Sequence, residues 1–208
     1  MHALIVVAHP EPDALTHTLA RQVAEGLTYA GHSSEIADLA AERFDPRFTP
    51  ADLAVHRRLG PPSAAVVAEQ RRIEGADALV LVYPVYWWSF PALLKGWIDR
   101  VFSNGWAFDY DAEGRTTKRL GHLNVHLLAL GGADQGLFAR HGYDRAMRTQ
   151  IEHGIFDWCG AQVSTSLLLD DSEGPEAARH QQQAHQLGRS LFDLGAQAPL
   201  SGHSASGR

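Results

Sequence analysis

The sequence predicts an α/β fold in which a five-stranded parallel sheet lies between two layers of helices. Five short apolar runs, rich in valine, leucine and isoleucine, have the length and composition of strands that are buried on both faces. Segments with apolar residues at helical spacing alternate with these runs. Because this alternation is typical of parallel sheets covered by helices on both faces, the two observations together give the fold class.

The individual elements follow from this pattern in chain order. The apolar runs predict strands over residues 3–8, 34–39, 78–83, 124–130 and 163–169. Apolar residues three and four positions apart predict helices over residues 15–31, 64–75, 91–102, 143–159 and 175–194. Residues 40–62 contain four prolines and are less regular, with one short helix around 50–58. We expect loops over residues 104–121 and 131–142.

Length and composition limit what the chain can do. In a chain of 208 residues we expect one domain over residues 1–198 and a disordered, Ser/Gly-rich tail over 199–208. The net charge of −6 gives no reason to expect nucleic-acid binding. There is one cysteine, and no apolar stretch approaches ~20 residues, so we expect a cytoplasmic protein without membrane insertion. The twelve histidines show no metal-binding spacing, and no metal site is expected.

The candidate site is expected where three loops follow the first, third and fourth predicted strands. In open parallel sheets, ligands bind beyond the carboxyl ends of the strands, at the point where the strand order reverses. The first of these loops, residues 9–16, leads into a helix N-terminus, where free backbone N–H groups favour an anion, and Thr16 adds a hydroxyl. The loop lacks the glycine patterns of dinucleotide and triphosphate sites. The alternative is a plain strand-to-helix turn.

The second loop, residues 84–90, belongs to a segment with five aromatic residues in the eight positions from Tyr83 to Phe90. This density at the end of a strand favours stacking against a flat ring system, with the backbone at 85–88 contacting its polar edge. An aromatic core plug or a dimer interface explains the residues equally well.

The third loop, residues 131–142, begins with two glycines, which permit close approach of the backbone to a ligand. His141, near the end of the loop, is a candidate proton relay because histidine titrates near neutral pH. The alternative is an ordinary surface histidine.

Taken together, these segments resemble the flavodoxin-like NAD(P)H:quinone oxidoreductases, the family of DT-diaphorase, the modulators of drug activity and the potassium-efflux ancillary proteins. The resemblance covers about residues 3–142, roughly two thirds of the chain. Its most specific part is Pro84–Phe102. The other matching stretches are Ala8–Pro10, Leu15–His17, Ala37–Leu39, Phe44–Pro46, Val67–Gln70, Ala76–Asp77, Trp106–Phe108 and Gly131–Gly132.

The resemblance implies a strand order of 2-1-3-4-5 and a homodimer with the active site at its interface. It also implies a two-step hydride relay, in which NAD(P)H reduces a bound flavin and leaves before an acceptor takes the hydride. The acceptor is a quinone-like small molecule, or an azo or nitro aromatic. By position, the resemblance assigns phosphate contacts to His9, Leu15 and Thr16, the isoalloxazine seat to Pro84, Val85, Tyr86, Trp87 and Trp88, and the pyrimidine edge to Gly131 and Gly132.

The catalytic assignments follow from the same resemblance. His141 matches the proton-relay histidine, and Tyr143, on the other side of that histidine, is the nearest candidate for the active-site tyrosine, which has no direct counterpart. The family usually has a hydroxyl residue where this chain has Ala14, and two threonines where it has Ala129-Leu130. Each difference removes polar contacts to the cofactor. The long 40–62 region resembles the FAD-type members, so FAD is expected, with FMN as the alternative.

Two other functions are compatible with these residues. Some members of the family are regulatory subunits of a membrane transporter, which implies a flavin-binding ancillary protein as the alternative function. A one-electron flavodoxin carrier is disfavoured, because such carriers are strongly acidic and the charge of −6 is modest.

The sequence leaves the choice between NADH and NADPH open. Arg115, Lys118 and Arg119 are basic enough to meet a 2′-phosphate, or they are simply solvated.

Overall fold

The computed structural model describes residues 1–111, 113–170 and 176–193. In chain order its strands are β1 (His2–Val7), β2 (Ser33–Asp38), β3 (Ala78–Pro84), β4 (Phe108–Tyr110), β5 (Thr116–Lys118), β6 (Asn124–Leu130) and β7 (Gln162–Leu169). Its α-helices are α1 (Leu15–Tyr29), α2 (Pro50–His56), α3 (Ala64–Glu74), α4 (Ala92–Val101), α5 (Gln135–His141), α6 (Tyr143–Met147) and α7 (Ala177–Ser190). A π-helical segment, Arg148–Asp157, continues α6.

The main sheet has five parallel strands in the order β2-β1-β3-β6-β7, which confirms the predicted order 2-1-3-4-5. Helices cover both faces, because alternate residues of each central strand point to opposite sides. In β1, Leu4 and Val6 join a core formed with α3, α4 and the π-helical segment, whereas Ile5 and Val7 join a core formed with α1 and α7. The fully buried central strands explain the uninterrupted apolar runs in the sequence.

The irregular region 40–62 is anchored to the outer side of α4. Its helix α2 has a reciprocal capping box between Thr49 and Asp52. Arg100 of α4 donates to Asp52 at 3.1 Å and to the carbonyl oxygen of Asp45 at 2.6 Å. Gly96 permits the close approach, since a Cβ atom there would lie 2.2 Å from the carbonyl oxygen of Pro46. The region is therefore an ordered part of the domain surface.

Two segments expected as loops contain regular structure. Residues 104–121 include the antiparallel hairpin of β4 and β5, which is too short to show a strand pattern in the sequence. Residues 131–142 include α5, which Asp134 caps by accepting from the backbone N–H of Leu137 at 2.9 Å. Gly142 ends this helix with a φ of 69°. The expected tail, residues 199–208, lies outside the described residues, as does the predicted start of the last helix at residue 175.

None of the helices in the described part of the chain is long and apolar enough to cross a membrane. Among the same residues, no group of three or more His, Cys, Asp or Glu side chains is arranged to hold a metal ion.

Candidate functional site

Three loops meet at the carboxyl edge of the sheet, because β1, β3 and β6 are adjacent strands. The strand order reverses between β1 and β3, since the chain leaves β1 to form β2 on one side and returns to form β3 on the other. This is the position at which open α/β sheets bind ligands. The fold therefore brings the first, second and third candidate loops together, as the sequence predicts.

The loop after β1 leads into a helix that has no side-chain cap. The N-cap residue of α1 is Ala14. Among the described residues, side-chain caps are present at the starts of α2, α3 and α5 and absent at those of α1, α4, α6 and α7. Free N–H groups at such a terminus favour a bound anion. Thr16 is buried, and its hydroxyl makes no hydrogen bond within the described residues.

His9 shapes this loop internally. Its Nδ1 atom accepts a hydrogen bond from the backbone N–H of Glu11 at 3.1 Å, which folds the segment back on itself. The His9 ring also packs edge-on against the ring of His17, with centroids 6.3 Å apart. His9 is half-buried and holds the loop that leads to α1.

His17 is a buried member of the site that sequence reasoning did not single out. Its Nε2 atom contacts Asp38, the last residue of β2, at 2.8 Å. Partial burial acts to raise the pKa of Asp38, but backbone hydrogen bonds from Ala41 and Ala40 together with His17 lower it below its usual value. The two residues are 21 positions apart, so only the folded strand order reveals the pair.

The aromatic loop is a tight turn with two tryptophans at its tip. The backbone N–H groups of Tyr86 and Ser89 each donate to the other residue's carbonyl, at 3.2 and 3.1 Å. Trp87 and Trp88 have φ angles of 48° and 58°. Positive φ at both central residues is the pattern of a type I′ turn, which normally takes Asn-Gly. Left-handed backbone costs a residue with a side chain roughly 1–2 kcal/mol, so the turn is strained.

This strained turn leaves few backbone groups free. The N–H of Val85 donates to the carbonyl of Leu130 at 2.8 Å, and the polar groups of Tyr86 serve the turn itself. Within the described residues, the N–H groups of Trp87 and Trp88 make no backbone hydrogen bond. The Trp87 side chain is 91% exposed, which is an unusual position for tryptophan. Strained, exposed aromatic residues beside a ligand-binding edge indicate a functional loop.

Trp88, Tyr143 and His141 form one aromatic stack. The rings of Trp88 and Tyr143 lie 3.7 Å apart and nearly parallel, and His141 stacks on the same tyrosine at 5.3 Å. Phe138 packs edge-on against Trp88 at 5.3 Å. The structure therefore links the aromatic loop directly to both candidate catalytic residues. This contact follows from α5, which brings His141 back toward β3.

The two glycines after β6 play different parts. Gly131 is buried, and a Cβ atom there would lie 3.1 Å from the ring of Phe138, so internal packing accounts for this glycine. Gly132 is exposed at the edge of the sheet, where its backbone is open to a ligand. Pro84 and Leu15 are half-buried beside the same edge.

A shallow depression of about 690 Å³ adjoins the stack on the His141 side. Arg140, Arg145 and Gln150 are among the residues that line it. Gln150 contacts the Ser89 hydroxyl, which joins the depression to the aromatic turn. No carboxylate lies within ion-pair distance of Arg140 or Arg145 among the described residues.

The basic cluster on the β4–β5 hairpin is occupied by carboxylates. Arg115 pairs with Asp111 at 2.7 Å, Lys118 with Asp157 at 2.9 Å and Arg119 with Asp109 at 2.7 Å. These pairs favour the interpretation of solvated surface charges over that of a phosphate site.

Comparison with known proteins shows the family and the fold. Residues 1–191 match the family described as flavodoxin-like fold. Ribosyldihydronicotinamide dehydrogenase (quinone) of Mus musculus is 30% identical over 184 residues, with 77% of each chain covered. NAD(P)H dehydrogenase (quinone) 1 of Cavia porcellus is 30% identical over 179 residues, with 77% of this chain and 65% of that protein covered. The solved NAD(P)H:quinone oxidoreductase from Methanothermobacter marburgensis superposes with a TM-score of 0.85 at 27% identity, covering 92% of this chain and 98% of that one.

Proposed function

This chain belongs to the flavodoxin-like NAD(P)H:quinone oxidoreductase family, and from that premise we propose that it is a flavin-dependent NAD(P)H oxidoreductase. It takes a hydride from NAD(P)H, holds it on bound flavin and passes it to a quinone-like acceptor, or to an azo or nitro aromatic. The two substrates use the site in turn, in a ping-pong mechanism. The observation that carries the proposal is the strained Trp87–Trp88 turn at the point where the strand order reverses.

The residues at the sheet edge fit a flavin. The uncapped N-terminus of α1 suits the phosphate, with His9, Leu15 and Thr16 around it. The Pro84–Trp88 segment offers a flat aromatic surface and the free N–H groups of Trp87 and Trp88 to the ring system. Gly132 leaves room at the neighbouring strand end. FAD is the proposed form because the 40–62 region resembles that of the FAD-type members, and FMN is the alternative.

Residues of the chain supply a stacking surface for the substrates and a proton donor. When bound, the flavin accepts and donates the hydride. Trp87 offers a face on which the flat ring of a coenzyme or acceptor stacks. His141, exposed and stacked on Tyr143, donates a proton to the acceptor oxygen as negative charge develops there. The Tyr143 ring fixes the position of His141 through the stack with Trp88.

A homodimer completes this proposal. The exposed side chain of Trp87 and a separate apolar groove of about 430 Å³ both support it. Phe48, Leu53 and Trp158 line that groove, and each has more than a third of its surface exposed. Exposed apolar patches of this kind are typical of protein interfaces.

Reconstitution with flavin tests the proposal. The protein is stripped of bound small molecules and titrated with FMN, FAD and riboflavin, and binding is followed by the quenching of flavin fluorescence. We expect tight binding of FAD or FMN and a change in the visible flavin spectrum. A folded protein that takes up none of the three contradicts the proposed function. A preference for FMN over FAD leaves the function intact and corrects the cofactor.

A further inference from the structure

His17, in the first turn of α1, has one ring nitrogen with a partner and one without. Its Nε2 atom contacts Asp38 at 2.8 Å, while its buried Nδ1 atom has no hydrogen-bond partner within the described residues. The residue is only 7% exposed. Since leaving a buried polar atom unpaired is destabilising, an atom of this kind beside a ligand-binding loop points to a ligand that pairs with it.

Asp38 fixes the orientation of the ring. Its Oδ1 atom accepts from the backbone N–H groups of Ala40 and Ala41, both at 3.1 Å, so the carboxylate is itself held in place. An ionised carboxylate only accepts hydrogen bonds, so the Nε2–H group of His17 donates to Asp38. The ring cannot turn to satisfy Nδ1 without breaking that contact.

Covalent geometry places Nδ1 beside the first turn of α1. It is bonded to the ring carbon that carries Cβ, so it is the ring nitrogen nearer to the helix backbone, whereas Nε2 points away to β2. The same ring packs edge-on against His9 at the start of the loop. Nδ1 thus adjoins the one turn of α1 in which backbone N–H groups have no side-chain cap.

We propose that His17 is a phosphate ligand of the flavin, donating from Nδ1 to a phosphate oxygen while Asp38 holds Nε2. The inference rests on the proposed flavin binding. It accounts for Ala14, which offers no hydroxyl to the phosphate, because the His17 side chain supplies a donor from the first turn of the same helix. In the complex Nε2 donates to Asp38 and Nδ1 donates to the phosphate oxygen.

His32 provides a matched control. Its Nδ1 atom is also buried without a partner, but it lies beyond the other end of α1, against the ring of Phe192 at 4.8 Å. An unpaired imidazole nitrogen there is far along the helix from the loop after β1. A substitution at His32 therefore reports what the loss of a histidine with an unpaired buried nitrogen does in general.

Two substitutions separate the two contacts of His17. The side-chain nitrogen of asparagine is as many bonds from Cα as Nδ1 of histidine. His17→Asn therefore keeps a donor for the phosphate and loses the hydrogen bond to Asp38. The side-chain nitrogen of glutamine corresponds to Nε2 of histidine. His17→Gln therefore keeps the hydrogen bond to Asp38 and loses the donor to the phosphate. His32→Gln is made alongside, and thermal unfolding verifies that each variant is folded.

The test measures the dissociation constants of FMN and riboflavin, which differ only in the phosphate. We expect His17→Gln to weaken FMN binding about 10- to 100-fold, as for the loss of a charge-assisted hydrogen bond, and to leave riboflavin binding unchanged. We expect His17→Asn to retain most of the wild-type affinity for FMN. We expect His32→Gln to change neither dissociation constant. Equal weakening of FMN and riboflavin by His17→Gln, or no weakening of either, overturns the inference. A wild-type protein that binds neither compound contradicts the proposed function itself.

A measurement on the unaltered chain covers the case in which the variants do not fold. In ¹⁵N NMR spectra of histidine-labelled protein, FMN is expected to move one buried Nδ1 resonance to the position of a protonated nitrogen, while riboflavin does not. If FMN and riboflavin shift the histidine resonances identically, His17 does not contact the phosphate.

Discussion

His141 and Tyr143 lie next to the aromatic turn because α5 and α6 fold back toward β3. The sequence predicts each residue as a candidate, but it does not predict that they share one stack with Trp88. That contact depends on α5, which has only seven residues and contains Gly136, so its apolar spacing is too weak to show. The Asp134 cap and Gly142 at its end are the signals that identify it.

Substitution of His141 tests the proton-relay role. We expect His141→Ala to slow reduction of a quinone by about 10²-fold, the lower limit for general acid catalysis, and to leave flavin reduction by NAD(P)H within a few fold. Stopped-flow absorbance separates the two half-reactions. His122→Ala, which removes an exposed histidine just before β6, serves as the control. If both half-reactions are unchanged in His141→Ala, the histidine is only a surface residue.

His126 makes the stability of the chain depend on pH. It is buried in β6, with Nδ1 3.1 Å from the hydroxyl of Thr165, and burial lowers its pKa from 6.5 to about 4. The unfolded chain therefore binds a proton that the folded chain does not bind between these values. The contribution of the neutral His126 side chain to stability is fully present above pH ~6.5 and is lost as the pH falls toward ~4.

Urea unfolding at two pH values measures this effect. We expect the wild type to lose about 2 kcal/mol more between pH 7 and pH 5 than His126→Gln, which has no group titrating in this range at that position. Identical pH dependence in the two proteins shows that His126 does not titrate differently on folding.

The Trp87–Trp88 turn illustrates where prediction from the sequence ends. The sequence predicts an aromatic loop after β3, because proline and aromatic residues follow an apolar run. It does not predict a type I′ turn, since the two central positions normally take asparagine and glycine. Tertiary contacts override that preference: Val85 is tied to Leu130, and Trp88 is held by Tyr143 and Phe138.

Comparison of two substitutions at Trp87 measures the strain in this turn. Both remove the exposed ring, but only glycine adopts a φ of 48° without cost. Glycine also costs conformational entropy on folding, which offsets part of the gain. We therefore expect the free energy of unfolding of Trp87→Gly to be about 0.5–1 kcal/mol higher than that of Trp87→Ala. Both variants are expected to bind flavin more weakly than the wild type. If Trp87→Ala is the more stable variant in urea unfolding, the turn is not strained as described.

Arg100 forms the buried ion pair that attaches the 40–62 region to α4. The side chains of Arg100 and Asp52 are more than nine-tenths buried. Removing one partner of a buried ion pair is strongly destabilising, so Arg100→Leu is expected to cost about 3 kcal/mol of unfolding free energy. Limited proteolysis is expected to cut the variant first between residues 40 and 62. Arg47→Leu removes an exposed ion pair in the same region and serves as the control, with little expected effect.

Strand order explains why distant segments of the sequence form one site. The apolar runs predict the strands, and the family resemblance implies their order, which the structure confirms. The contact between His17 and Asp38 escapes prediction because it joins a helix start to the end of an edge strand. The position of the candidate site is therefore predictable from the sequence, whereas the side-chain contacts that build it depend on the fold.

The proposed homodimer is open to direct measurement. Sedimentation of the flavin-bound protein is expected to give twice the mass of one chain at micromolar concentration. A substitution of Trp158, which is 51% exposed in the apolar groove, with aspartate is expected to shift the protein toward single chains. A single-chain mass for the active wild type contradicts the proposal.

In the proposed reaction, bound flavin carries the hydride between two substrates that use the site in turn. The most direct test adds one equivalent of NAD(P)H to the flavin-loaded protein without oxygen, removes the oxidised coenzyme and then adds a quinone. We predict that the flavin colour is lost on the first addition and returns on the second, with one equivalent of quinone reduced. A flavin that keeps its colour with NAD(P)H, or quinone reduction only when both substrates are present, would contradict the account.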